Sequence, residues 1–477
     1  MQDNVKSGET RPVGLRLSHR DMERRELILT GSLWKALFTV GIPLAFYQSL
    51  TLVFRLFDTA MASHISAESV SAVAYLSQIN VALSSLGLGL AVGGSIKLSE
   101  AYGVGDFELV HRRVSSLFAL CGVLGGGGLL LIPVTPMLLR LARTPEEFIA
   151  LGTPYFNVGL VDMAVLFLDN AYIAVERARG NGGRILRLNF AALSVKLVVT
   201  AVLVYGLNGT ITHIAVATLV SDLLILAAGC YYMLQGKEQV FGFDIKAVSW
   251  KGKVAGPMVS LSIPVAGEKL AFSLGKVIVN SMSTVYGALV VGALSVSNNL
   301  GGITTNPQDG FQQGGAAVIS QNVGAGNYKR AISAFYRLMV IDVAESLLIS
   351  GIILLCIHPL TLLLSSGDAS FAQSIAHLYR YEAIGSWGLG ICSASMAFLY
   401  GFGYTRLTLL INFVRLFGMR IPLLWYMQHF TTLGSESLGV VMLSSNLMAG
   451  GLALVIAIAV IRHIRATHPE ADRHSRS

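Results

Sequence analysis

Charge is scarce in this sequence. Only 13% of its 477 residues are Asp, Glu, Lys or Arg, about half the share usual in a water-soluble domain. A soluble chain of this length needs more polar surface than that, so the soluble classes fall away. Cysteine is scarce too. Cys121, Cys230, Cys356 and Cys392 sit one by one inside apolar runs with no CxxC spacing, which argues against a disulfide framework or a thiolate metal site. No HExxH, GxSxG or GxxxxGK[ST] occurs, so the sequence offers no zinc-hydrolase, serine-hydrolase or nucleotide-binding constellation, and no enzyme is expected. His463, His468 and His474 lie in a basic hydrophilic tail and read as solvated. The first 32 residues are polar, with Lys6, Arg11, Arg16, Arg20, Arg24 and Arg25, and read as a segment without a cleavable signal.

What the chain has is apolar length. Hydrophobic residues make up 53% and the mean hydropathy is +0.63. The apolar runs reach about 20–30 residues, enough to cross a bilayer as helices. Twelve spans are expected: 33–62, 70–100, 115–139, 151–175, 186–207, 211–234, 258–285, 288–319, 333–364, 374–402, 407–429 and 438–461. One set of connections holds Arg112, Arg113, Arg177, Arg179, Arg184, Arg187, Lys237, Lys246, Lys251, Lys253, Lys329, Arg330, Arg406 and both ends of the chain. The alternate set holds only Arg140 and Arg143. This asymmetry predicts both termini in the cytoplasm. It also accounts for the formal charge of +8 without a nucleic-acid partner.

The sequence repeats itself. Pro43 and Pro264 are 221 positions apart, and at that offset Gly89 meets Gly310, Gly93–Gly94 meet Gly314–Gly315, Ser99 meets Ser320, and Gly103 and Gly105 meet Gly324 and Gly326. Proline and glycine mark backbone geometry, so their fixed spacing indicates a structural repeat. The longest internal polar connection, 236–257, divides the chain where the repeat does. The expected domains are therefore a segment 1–32, a six-helix bundle 33–235, a linker 236–257, a second bundle 258–462 and a tail 463–477. Six spans per copy is an even number, so the copies face the same way about an axis along the membrane normal. Gly89-x-x-x-Gly93 and Gly310-x-x-x-Gly314 should let neighbouring helices approach closely.

The repeated block resembles the multidrug and toxic compound extrusion family of the wider flippase superfamily. The likeness lies in IPLAFYQSLTLVFRLFDTAMAS and GLAVGGSIKLSEAYGVGDF of the first copy, and in IPVAGEKLAFSLGKVIVNSMS and GFQQGGAAVISQNVGAGNYKRA of the second. RARGNGGR and RLFGMRIPLLW match less sharply. The resemblance implies secondary active efflux driven by inward proton or sodium movement, by rocking of two bundles, in the plasma membrane of a prokaryote. It places Asp58 at the family's ion-coupling acid. The fifth span departs from the family pattern: Lys196 stands where an Asn is expected, and Thr200 where an acid is expected.

Ionisable groups inside spans are costly, by about 2.5–3.5 kcal/mol on insertion scales, and so mark function or pairing. Asp58, Asp162, Lys196 and Asp222 form a candidate coupling network, against which stands a static lattice of mutually neutralised charges. Asp162, Asp169 and Glu176 recur every seven residues on one helix face, and Glu176 reads as a solvated partner of Arg177 and Arg179. Lys276 falls on Arg55 at the 221 offset, so both bundles place a cation at one point of their first helix. The candidate cavity is Arg55, Tyr47, Tyr75, Glu268, Phe272, Lys276, Asn280, Trp387, Arg415 and Arg420. Asp342 and Glu345 read as structural beside Arg337. The leading expectation is an ion-coupled exporter of small amphipathic, cationic compounds. The alternative is a flippase or exporter of an anionic lipid-linked or organic substrate, favoured by Arg55, Lys276 and Arg420. No cofactor is expected, and the chain is expected to act as a monomer in the bilayer.

Overall fold

The computed structural model describes residues 15–468, apart from 66, 142–145, 208, 236–238 and 366–367. The described residues form helices with no strand among them. An amphipathic α1 (His19–Leu29) precedes the first span. The first half then runs α2 (Leu33–Ile65), α3 (Ala67–Val104), α4 (Phe107–Leu129), α5 (Thr135–Leu141), α6 (Glu146–Ala178), α7 (Gly182–Ala201) and α8 (Ile211–Leu234). The second half runs α9 (Ala255–Ser283), α10 (Ala288–Gly324), α11 (Tyr328–Leu355), α12 (Ile357–Leu364), α13 (Ala369–Gly401), α14 (Thr405–Phe413), α15 (Ile421–Phe430) and α16 (Glu436–Thr467). Helices α4 with α5, α11 with α12, and α14 with α15 each complete one crossing, giving twelve. Ten helical stretches are long and apolar enough to span a membrane. Helices α9 and α10 are not among them. They carry Glu268, Lys269, Lys276, Asn298, Asn299, Asn306, Gln308, Asp309 and Gln312, and that polarity sites the main cavity.

The repeat closes on itself. Helix α2 packs on α10, and its counterpart α9 packs on α3, the counterpart of α10. The close contacts are reciprocal residue by residue. A Cβ on Gly89 would lie within 2.9 Å of Ala266 backbone atoms, and one on Gly310 would strike the backbone of Ala45, the repeat mate of Ala266. Gly93 faces Ser262, while Gly314 faces Gly41 at the equivalent position. Gly103 abuts the carbonyl of Gln321, and Gly324 abuts that of Glu100. Such exchange of i with j between copies is the signature of a two-fold axis. At every one of these places a side chain would push two backbones apart, which is why glycine recurs.

One face is sealed. At the ends of α3 and α10, Ser320 donates to the Ile96 carbonyl at 2.8 Å and Gln321 donates to that of Ala178 at 2.6 Å. Gly105 and Gly326 take φ of 88° and 75° as these helices turn out, a left-handed conformation that suits glycine. Both described chain ends sit here. His468 stacks on Tyr328 with centroids 4.3 Å apart. Helix α1 bridges the halves: Arg25 donates to the carbonyls of Tyr102 (3.0 Å) and Gly103 (2.9 Å), while Arg330 from the second half donates to those of Ile28 and Gly31. These are carbonyls of the last turn of α1 and just beyond, which have no intrahelical partner and favour a cation. The described part of the polar stretch before the first span thus forms a docked helix, and the described part of the linker is docked as well. Phe241 packs edge-on against Tyr102 at 5.2 Å, and Ser116 and Ser115 accept from the backbone N–H groups of Ser249 and Asp244.

Candidate functional site

Two interiors carry the buried charge. In the first half, Asp162 on α6, Asp222 on α8 and Lys196 of α7 lie close enough to act on one another electrostatically. Asp169, two turns along α6 from Asp162, is 1% exposed, and neither carboxylate oxygen has a hydrogen-bond partner among the described residues. The structure therefore brings Asp162, Lys196 and Asp222 together. The side chains of Arg55, Asp58 and Tyr75 fall outside the described residues. Glu176 is not solvated as the sequence suggested. It is 1% exposed and accepts from Arg179, Asn181 (2.7 Å) and Arg184 (3.2 Å), and its partner Arg179 is itself held between Asp21 of α1 and the Phe241 ring of the linker. Arg177 turns away into a 230 Å³ cavity between the halves, shared with Tyr47, Lys269, Asp309, Gln312 and Tyr400.

The second half holds a larger cavity of about 390 Å³, lined by α9, α10, α13, α16 and the segment Val414–Arg420. Within the range of ordinary ligand sites, it is strongly polar. Four cations line it, Lys269, Lys276, Arg415 and Arg420, against three acids, Glu268, Asp309 and Glu382. Glu268 is 1% exposed and committed: Tyr400 donates to it at 2.7 Å, Asn412 at 2.9 Å, and Lys269 lies at 3.8 Å. Glu382 accepts from Ser297 at 3.2 Å. Phe272 offers its ring to two cations, with Lys276 Nζ at 4.9 Å and Arg415 Cζ at 5.7 Å from the centroid. Gly275 makes this possible, since a Cβ there would lie 2.8 Å from Leu416 Cδ1 and hold α9 off the Arg415 segment.

That segment is a π turn. Residues five apart sit about 140° apart around an α-helix at 3.6 residues per turn, whereas a turn closing i to i+5 brings them onto one side. Arg415 and Arg420 accordingly converge. Each donates through Nη2 to the same Asn446 Oδ1 at 2.9 Å, and Arg420 Nε donates to Ser445 at 3.0 Å. Of the expected cavity residues, Glu268, Phe272, Lys276, Arg415 and Arg420 line this cavity, and Tyr47 lines the inter-half one. Asn280 and Trp387 line neither; Trp387 lies 41% exposed on the outer surface of α13. Asp342, fully buried, adjoins Glu345 rather than Arg337, whose guanidinium lies 5.9 Å from the Trp34 ring. Sequence reasoning missed Asn446, Asn412 and Gln308 as site residues. Amides deep in spans α16, α14 and α10 were the available signal.

Comparison with known proteins decides the family. The family model described as MatE matches residues 43–202 and 264–426, well over half of the chain and both copies of the repeat. The chain belongs to the MatE family. A Bacillus subtilis (strain 168) relative named "Probable multidrug resistance protein YpnP" is 25% identical over 302 residues, 63% of this chain and 67% of its own. A Shewanella oneidensis relative named "FAD transporter" is 22% identical over 94% of this chain and 99% of its own. A solved structure described as the outward-facing conformation of a multidrug resistance MATE family transporter of the MOP superfamily superposes with a TM-score of 0.88 at 18% identity, covering 94% and 99%. Another, from Pyrococcus furiosus and described as having a binding pocket of reverse polarity that suggests a different function, gives the same score, identity and coverage. MatE membership implies efflux transport by a multi-pass membrane protein, in a family of transporters and not enzymes.

Proposed function

We propose that this MatE protein is an ion-coupled exporter that alternates by rocking its two halves, with the sealed face cytoplasmic. One observation carries the reading: a polar cavity lies in the half of the bundle away from a face closed by reciprocal glycine contacts. Inward-moving protons or sodium ions act on the first half. Two neighbouring carboxyls in a span do not readily both ionise, so the Asp162–Asp222 pair is the natural place for that proton, and Lys196 supplies the counter-charge when it leaves. Asp58 joins them through the family resemblance. The protein works as a monomer in the plasma membrane of a prokaryote.

Four cations against three acids favour an anionic substrate over the cationic one first expected. The Shewanella relative, named for FAD, a dinucleotide with two phosphates, supports the same choice. The test is transport in proteoliposomes under imposed pH or sodium gradients, with the fluorescent ester 4-methylumbelliferyl phosphate and the cation ethidium as probes. Gradient-driven movement of a probe in the wild type, and its loss in Asp222→Asn, is the expected result. Movement indifferent to every gradient would overturn the coupling.

A further inference from the structure

We infer that Arg415 and Arg420 form an oxyanion clamp, and that the exported solute carries a phosphate, sulfonate or carboxylate group on an aromatic or apolar body. The inference rests on the efflux reading and names its substrate class. Two guanidinium groups share one neutral amide oxygen, Asn446 Oδ1, each at 2.9 Å. Their donating nitrogens are therefore no more than twice that distance apart. A neutral oxygen satisfies hydrogen bonds but does not balance two positive charges. Glu268 is held by Tyr400, Asn412 and Lys269, while Glu382, which accepts from Ser297, and Asp309 act on the two arginines only at longer range, with no ion pair to either among the described residues.

Burial sharpens the case. Arg420 is 4% exposed, and the buried Nε of Arg415 has no hydrogen-bond partner among the described residues. Guanidinium forks match the two-oxygen edge of a carboxylate, phosphate or sulfonate. A bound oxyanion would take the place of the Asn446 oxygen and supply the missing charge. The same cavity also has apolar lining in Leu52, Leu389, Met396 and Met442, which suits the apolar body of such a solute.

The π turn explains why this pair exists here. Without it the two arginines would point to different sides of one helix, and only one of them would join Lys269 and Lys276 in the cavity. The chemistry is shared by a soluble organic phosphate and a lipid headgroup, so the experiment needs an arm for each.

The test is equilibrium binding to the full-length protein in phosphatidylcholine nanodiscs, with no ion gradient. The probes are 4-methylumbelliferyl phosphate, its neutral parent 4-methylumbelliferone, and a coumarin of the same size bearing a trimethylammonium group. The ester should bind about tenfold or more tightly than either. Arg415→Ala and Arg420→Ala should each weaken it about tenfold or more, with Arg420→Lys in between. Asn446→Asp, which leaves both arginines and seats a resident carboxylate between them, should abolish ester binding without lowering the melting temperature. Loss of soluble-ester binding in phosphatidylglycerol nanodiscs assigns the clamp to a lipid phosphate; retained binding assigns it to a soluble one. A cation that binds as tightly as the ester, or an Arg415→Ala/Arg420→Ala double variant that keeps its affinity, overturns the proposal. Ester binding without gradient-driven transport would defeat the efflux reading and leave the clamp standing.

Discussion

The two halves of this protein share a backbone plan and differ in how their intramembrane charges are arranged. The first sets Asp162 and Asp222 about one lysine, Lys196, with Asp169 a further acid beside that pair. The second surrounds a cavity with four cations and three acids. Their counterpart spans show how the difference arose on one scaffold. The fifth span, α7, ends in a π turn at Val202–Gly206 and contributes Lys196 alone; the eleventh has its π turn at Val414–Arg420 and contributes two arginines to one spot. On the function proposed above, the same repeat holds a cation-responsive site on one side and an anion-receptive site on the other. Two parallel copies about a central axis give each site access to the same alternation.

Removing the sites one at a time is the way to break this comparison. The largest effect belongs to Arg415→Ala/Arg420→Ala. Hydrogen bonds to charged groups contribute about 1.5–3 kcal/mol each, and about 1.4 kcal/mol is tenfold. Anion export should fall about a hundredfold or more, read as initial rates in proteoliposomes. Next comes Lys196→Ala, which strands buried carboxyls; breaking a buried pair costs about 3–5 kcal/mol. A lower melting temperature should accompany lost coupling, and a second change, Asp222→Asn, should recover part of the stability.

Asp162→Asn and Asp222→Asn should abolish the response to a gradient while leaving ester affinity within about twofold of wild type, since neither touches the second cavity. Gly103→Ala drives a methyl into the Gln321 carbonyl across the two halves. Overpacking of this kind costs about 1–3 kcal/mol, so the sealed face should open, read as faster labelling of a single cysteine introduced there. Arg330→Ala is the mildest. It removes the Arg330 hydrogen bonds to the end of α1 but leaves Asn322 donating to the Ile28 carbonyl, and should raise the same labelling rate only a few-fold.

Much of the architecture was legible because proline and glycine report backbone geometry. The 221-residue offset, read on Gly89 and Gly93, foretold both the two-fold relation and the close contacts at those residues, while the contact of Gly103 with Gln321 was not foreseen. Charged positions inside spans were equally visible, since Asp162, Lys196, Asp222, Lys276, Arg415 and Arg420 stand out against apolar sequence. What stayed hidden depends on local winding and on long-range docking. Nothing in RLFGMRIPLLW announces a π turn, so the convergence of Arg415 and Arg420 on Asn446 was not readable. Trp387 looked like a cavity wall because an aromatic residue in a span has no sign of direction until its helix is packed. Glu176 looked solvated because its partner Arg179 is held by α1 and by Phe241 in the linker, both distant in sequence.

If the halves divide coupling and anion binding between them as proposed, one paired measurement will show it. Ester binding and gradient-driven ester export are measured side by side for wild type, Arg420→Ala and Asp222→Asn. The account predicts that Arg420→Ala loses binding and export together, and that Asp222→Asn keeps binding and loses only the gradient's effect. Equal loss of binding in both variants, or ethidium export that survives Arg420→Ala unchanged while the ester never moves, would contradict it.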